Sequence, residues 1–126
     1  MKKAIVLGAG GFIGTNLVEF LKTKDYHVRG VDLKYPKWSM SSADEFILAD
    51  LRNPDAVNIV LEDADEVYQL ASDMGGAEFV FTGKHDADIF YNNAMINLNV
   101  ARFAVLKGVK KLFFSSSACV YPYKMF

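Results

Sequence analysis

The stretch Ala4-Ile5-Val6-Leu7-Gly8-Ala9-Gly10-Gly11-Phe12-Ile13-Gly14 constrains what this chain can fold into more than any other. A short apolar run stops at glycines, and Ile13, Leu17, Phe20 and Leu21 then recur at helical spacing. The pattern predicts a strand over 2–7, a tight turn, and a helix over 12–23. Gly8, Gly11 and Gly14 give the spacing Gly-x-x-Gly-x-x-Gly, wider than Gly-x-Gly-x-x-Gly. Such a turn lets backbone N–H groups approach a pyrophosphate with no Cβ in the way. It also aims a helix N-terminus, carrying about half a positive charge, at that anion. A strand before and a helix after are the context a dinucleotide-binding turn requires. The competing reading is a tight turn whose glycines serve packing alone.

A second strand is expected over 26–32, ending in Asp32. A carboxylate there accepts both hydroxyls of an adenosine ribose and repels a 2′-phosphate, which favours NAD over NADP. Lys34 follows closely enough to soften that preference, and a solvated strand end is the plain alternative for Asp32. Residues 34–42 read as a loop, in which Trp38 is a packing residue or an exposed lid contact. A third strand over 45–50 delivers Asp50, followed by Asn53-Pro54, an Asn cap with Pro at the first helical position. Asp50 suits either an adenine amino group or a helix-capping role. The helix is expected over 54–62 and a fourth strand over 66–71.

Ser72-Asp73-Met74-Gly75-Gly76 follows, a second glycine-bearing turn at a strand end. Ligands of open α/β sheets lie across the C-terminal ends of the strands, so this turn sits at the ligand edge or is a plain connector. His85 stands in a polar stretch and reads as a surface residue, with no second metal ligand at a recognisable spacing.

A long helix is expected over 87–107. Ile89, Ile96, Val100 and Phe103 form one stripe, and Tyr91, Met95, Leu98, Val105 and Leu106 a second on nearly the opposite side. One stripe covers the sheet; the other meets a further helix or a partner subunit. Asn99 lies between them, suited to bonding a neighbouring main chain or to a plain surface position. Gly108 ends the helix. A fifth strand over 111–115 leads into Ser115-Ser116-Ser117-Ala118-Cys119. A serine here can bind a substrate oxygen. Cys119 suits acid–base chemistry if its thiol is poised by a neighbour, or it is a small buried hydrophobe.

The expected whole is one α/β domain, an open parallel sheet of order 3-2-1-4-5 with helices on both faces. The 126 residues allow one real core, and a formal net charge of −1 offers no basic excess for nucleic acid. No apolar run approaches the roughly 18 residues of a membrane span. The hydrophobic run after Met1-Lys2-Lys3 breaks too soon, at Gly8, for a signal peptide. One cysteine allows no internal disulfide and fits the cytoplasm.

The Gly8–Gly14 turn, Asp32, Asp50-Leu51, the helix bearing Asn99 and the serine-rich fifth strand end resemble the extended short-chain dehydrogenase/reductase superfamily. Leu70-Ala71-Ser72-Asp73-Met74-Gly75-Gly76, Tyr91-Asn92-Asn93 and Ser116-Ser117-Ala118-Cys119-Val120-Tyr121-Pro122 are similar to its GDP-mannose 3,5-epimerases. The resemblance implies that NAD takes a hydride from C4 of a nucleotide-linked hexose, that C3 and C5 are epimerised, and that the hydride returns. It assigns NAD to Gly8, Gly11, Phe12, Ile13 and Gly14, to Asp32 and Leu33, and to Asp50 and Leu51. Leu70, Ala71, Ser72, Met74, Asn99 and Ser115 complete that set. It makes Ser117 and Cys119 catalytic, and places the sugar against Gly75, Gly76, Ser117, Ala118 and Cys119. The alternatives are a non-catalytic dinucleotide-binding module and a related dehydratase or 4-epimerase.

The chain also departs from the family. A Tyr-x-x-x-Lys pair is missing: Tyr121 is followed four residues on by Met125. The segment between Gly76 and Tyr91 differs from the epimerase pattern. The expectation is the NAD-binding part of a longer enzyme, inactive alone, or a chain that self-associates as a homodimer through the 87–107 helix. Its fifth strand would then be an open sheet edge carrying Leu112, Phe113 and Phe114. Each such exposed side chain forgoes about 1.5–3 kcal/mol, against a total stability of about 5–15 kcal/mol.

Overall fold

A computed structural model describes residues 1–73, 83–117 and 120–122. The elements run β1 (Lys3–Leu7), α1 (Phe12–Thr23), β2 (His27–Asp32), β3 (Glu45–Leu48), α2 (Pro54–Val60), β4 (Glu66–Gln69), α3 (Asp86–Leu106) and β5 (Lys111–Phe114). The strands form one parallel sheet in the order β3-β2-β1-β4-β5, as expected. Central β1 pairs Lys3 with His27 on one side and Ala4 with Glu66 on the other.

Alternation along β1 divides the core in two. Ile5 and Leu7 point to one face, where Val57, Val60 and Leu61 of the α2 region meet Ile96 and Val100 of α3. Ala4 and Val6 point to the opposite face, against Val18 and Leu21 of α1. A strand buried on both faces has to be a continuous apolar run, which is why residues 4–7 carry no polar side chain.

The expected face of α1 is corrected. Ile13 and Phe20 are exposed, and the buried row is Gly14, Val18 and Leu21, with Leu17 packed beside it. The cause is steric. A Cβ on Gly14 would overlap the Gly8 carbonyl oxygen and lie 2.8 Å from Ala9 Cα. The bare Gly14 backbone therefore seats against the turn, and Ile13 and Phe20 fall about 100° around the helix from the buried row.

The remaining differences are at element ends. The third strand stops at Leu48 rather than Asp50, although the Ala49 N–H still donates to the Asp32 carbonyl at 3.0 Å. The fourth stops at Gln69 rather than Ala71, and α2 stops at Val60 rather than 62. Asn53 does cap α2, its Oδ1 accepting the Asp55 N–H at 2.9 Å, and Gly108 turns the chain with φ +70° after α3. Trp38 is exposed, which of its two readings excludes the packing one.

The two stripes of α3 part as expected. Ile96 and Val100 are buried and Phe103 packs on the core, while Tyr91, Leu98, Val105 and Leu106 are exposed. Leu112, Phe113 and Phe114 of β5 are 42–53% exposed, in keeping with an uncovered edge. No helix among the described residues is long and apolar enough to cross a membrane.

Candidate dinucleotide site

The C-terminal ends of β1, β2, β3 and β4 open into one cleft of about 380 Å³. Its floor is the glycine turn. Gly8 takes φ +87°, a conformation L side chains resist, and a Cβ there would stand 2.9 Å from Ala71 N. Gly11 differs: a Cβ on it would meet nothing closer than the Gly8 carbonyl oxygen at 3.5 Å. Protein packing does not demand glycine at position 11, which lies at the cleft wall. Gly11 is also the N-cap of α1 and provides no side-chain acceptor. The first N–H groups of α1, those of Phe12 and Ile13 among them, have no intrahelical acceptor by helix geometry. The side chains of Phe12 and Ile13 point to solvent.

Asp32 forms the second wall with Leu33. Its Oδ2 accepts the Gly10 N–H at 2.8 Å and its Oδ1 the Leu33 N–H at 2.6 Å. Gly10 was not singled out from the sequence, yet a Cβ on it would lie 2.9 Å from Asp32 Oδ2. The consecutive pair Gly10-Gly11 was the available signal.

Asp50 and Leu51 make the third wall. Asp50 is bound in two-pronged fashion by Arg52: Nε donates to Oδ1 at 3.0 Å and Nη2 to Oδ2 at 2.6 Å. The Arg52 backbone N–H adds a bond to Oδ1 at 3.0 Å. These bonds from Arg52 hold the Asp50 carboxyl below the usual carboxylate range, and partial burial opposes them only in part. Asn99 stands behind this wall, buried, its Nδ2 donating to the Leu51 and Arg52 carbonyls at 3.0 Å each. It bonds main chain, one of the two roles its position allowed.

The fourth wall is Leu70, Ala71 and Ser72 after β4, with Asp73. Buried Gln69 shapes it: Oε1 accepts the Ala71 N–H at 3.0 Å, and Nε2 donates to the Ala71 carbonyl and to Asn97 Oδ1, both at 2.8 Å. The Gln69 carbonyl accepts the Ser115 N–H at 3.2 Å, which fixes the end of β5 beside β4. Ser115 is thus tied to β4, while Ser117 is exposed and its carbonyl accepts the Val120 N–H at 3.2 Å. Met74, Gly75, Gly76, Ala118 and Cys119 lie outside the described residues.

Sequence reading gave no site role to Arg52, Asp73 or Asn92, all of which line the cleft. Asn92 stands in the Tyr91-Asn92-Asn93 stretch that carries the resemblance, without a role of its own. A polar amide in a helical run, where Asn is a poor former, was the signal it offered.

The residues fit a dinucleotide on their own chemistry: helix N–H groups without intrahelical acceptors at a glycine floor, one carboxylate beside them and a second across the cleft. Comparison with known proteins agrees. Residues 4–125 match the NAD dependent epimerase/dehydratase family. The chain is 39% identical over 122 residues to a GDP-mannose 3,5-epimerase of Arabidopsis thaliana, covering 95% of this chain and 32% of that protein. It therefore spans about a third of the length of that relative. A solved UDP-galactose 4-epimerase superposes with TM-score 0.80 at 26% identity, over 98% of this chain and 41% of that one. A short-chain dehydrogenase/reductase superfamily protein of Agrobacterium tumefaciens, solved with bound NAD, gives TM-score 0.78 at 25% identity, over 95% of this chain and 34% of that one. The chain belongs to the NAD dependent epimerase/dehydratase family.

Proposed function

We propose that this chain is the NAD-binding portion of a cytoplasmic nucleotide-sugar epimerase acting on a GDP-hexose of the GDP-mannose type. The observation that carries the reading is the convergence of the α1 N-terminus, Asp32 and Asp50 on one cleft. In it the glycine turn, with Phe12, Ile13 and Gly14 opening α1, binds the diphosphate. Asp32 and Leu33 hold the adenosine ribose, and a 2′-phosphate is excluded by charge. Asp50 and Leu51 face the base, while Leu70, Ala71 and Ser72 border the rest of the cofactor.

When bound, NAD supplies a hydride acceptor and donor for transient oxidation at C4 of the sugar. Ser117 orients the substrate hydroxyl, and Cys119 moves one of the protons at C3 or C5. Support for these two roles and for Gly75, Gly76 and Ala118 as sugar contacts is the motif resemblance, together with the GDP-mannose 3,5-epimerase relative. The exposed outer stripe of α3 supports a homodimer through that helix.

The test is exchange in D₂O with NAD present. The full-length protein encoded by the gene incorporates deuterium at C3 and C5 of GDP-mannose and not of UDP-glucose. The 126-residue chain alone gives no steady epimerisation. Exchange confined to UDP-glucose would move the assignment to another sugar, and turnover by the chain alone would contradict it.

A further inference from the structure

The cleft contains a polar chain of which the reading above uses only Asp50. Arg52 grips Asp50 through Nε and Nη2, and its Nη1 donates to Asn92 Oδ1 at 3.1 Å. Asn92 Nδ2 donates onward to Asp73 Oδ2 at 2.7 Å. Asp73 is itself held by Asn93, whose Oδ1 accepts the Asp73 N–H at 2.6 Å. The chain crosses from the end of β3 to α3 and on to the turn after β4.

Two consequences follow from geometry and charge. A carboxylate is acceptor-only, with about four lone-pair positions. On Asp50, Arg52 takes most of them with three donors from its side chain and main chain. What remains can accept from an amino group and can only repel a carbonyl oxygen in the same place. The planar fork fixes where that remaining acceptor points, which a point charge does not do. Arg52 also pairs with Asp50 and reaches Asp73 through Asn92, on the lip of a cleft that must admit an anion.

We propose that Arg52 is a positioning residue that sets base selectivity: its two-pronged grip orients Asp50 to accept the exocyclic amino group of adenine, while its charge offsets Asp50 and Asp73 for the incoming dinucleotide. This rests on the reading that the cleft takes the adenosine end of NAD. The two roles separate experimentally, because charge acts on every dinucleotide alike and orientation acts only on the base.

The probes are NAD and nicotinamide hypoxanthine dinucleotide, which carries a carbonyl oxygen in place of the amino group. Affinities are measured by titration calorimetry on the 126-residue chain and on its Arg52→Lys and Arg52→Leu variants, with circular dichroism to confirm folding. The wild type prefers NAD by about tenfold or more, the worth of one hydrogen bond to a charged acceptor. Arg52→Lys keeps the charge and loses the fork, so it binds the hypoxanthine analogue within about twofold of wild type and loses most of the preference. Arg52→Leu loses the preference and binds both probes more weakly.

Retention of the full preference by a folded Arg52→Lys chain would overturn the proposal. So would tighter NAD binding by either variant, since Arg52 would then merely occlude Asp50. Equal wild-type affinity for the two probes overturns the proposal and leaves NAD binding standing. Failure of the folded wild type to bind either probe removes the underlying reading and this proposal with it.

Discussion

Gly11 and Gly14 stand one turn apart on α1 and are glycine for different physical reasons. At Gly14 a Cβ would overlap the Gly8 carbonyl oxygen, so the fold itself requires its absence. At Gly11 the space is open, and a Cβ there is expected to obstruct a ligand approaching the helix N-terminus. Gly14→Ala is therefore expected to cost about 1–3 kcal/mol of stability, the usual cost of forcing an extra methyl into a packed place. Gly11→Ala changes stability by under about 1 kcal/mol, since φ −81° suits alanine. Its NAD affinity falls regardless. Urea melts of both variants, paired with NAD titrations, read the difference; equal stability losses at the two positions would contradict it. The glycine spacing was legible in the sequence, but which glycine answers to packing was not, because that depends on what the β1–α1 turn presses against.

At the scale of elements, the ties between strands and helices are polar side chains distant in sequence. Gln69 is 2% exposed and joins the turn after β4 to Asn97 of α3. Gln69→Leu leaves the Ala71 N–H and the Asn97 amide oxygen without this partner, an expected loss of about 2–3 kcal/mol by equilibrium denaturation. Asp44 joins the end of α1 to the start of β2: it accepts from Lys22 Nζ at 2.8 Å and from the Val28 N–H at 2.7 Å. The Lys22 bond, then the Val28 N–H, hold its carboxyl below the ordinary aspartate value. A lowered folded value means stability present in full above the unfolded pKa of about 3.9 and lost as pH falls through the folded one. Asp44→Asn should therefore flatten the fall in stability below about pH 4. Periodicity revealed each of the eight elements among the described residues but misplaced the inward face of α1. A glycine counts as nothing in a hydrophobic stripe, yet Gly14 heads the buried row. Strand ends were drawn too long because Ala49 and Leu70 keep ladder-like bonds after β3 and β4 have ended. The Asp50–Arg52–Asn92–Asp73 chain was invisible for another reason: it joins side chains as far as 40 residues apart.

At the scale of the whole chain, the cleft occupies one edge of a domain whose other described surfaces stay partly apolar. β5 and the outer stripe of α3 expose Leu112, Phe113, Phe114, Leu98, Val105 and Leu106 together. In the proposed homodimer the α3 stripe is covered, so Leu98→Glu with Val105→Lys should shift the chain from dimer to monomer in sedimentation velocity, with its helical circular dichroism intact. A dimer unaffected by the pair would place the contact elsewhere, β5 being the exposed alternative. The described lining of the cleft, by contrast, runs from Gly8 to Ile96. Its capacity for a dinucleotide is therefore expected to survive without any further domain. Titration calorimetry with NAD on the folded, purified chain tests this directly. One molecule of NAD per chain, bound with measurable heat and with NADP weaker by about tenfold or more through repulsion at Asp32, is the expected result. Absence of any heat from a well-folded sample, or equal affinity for the two dinucleotides, would contradict it.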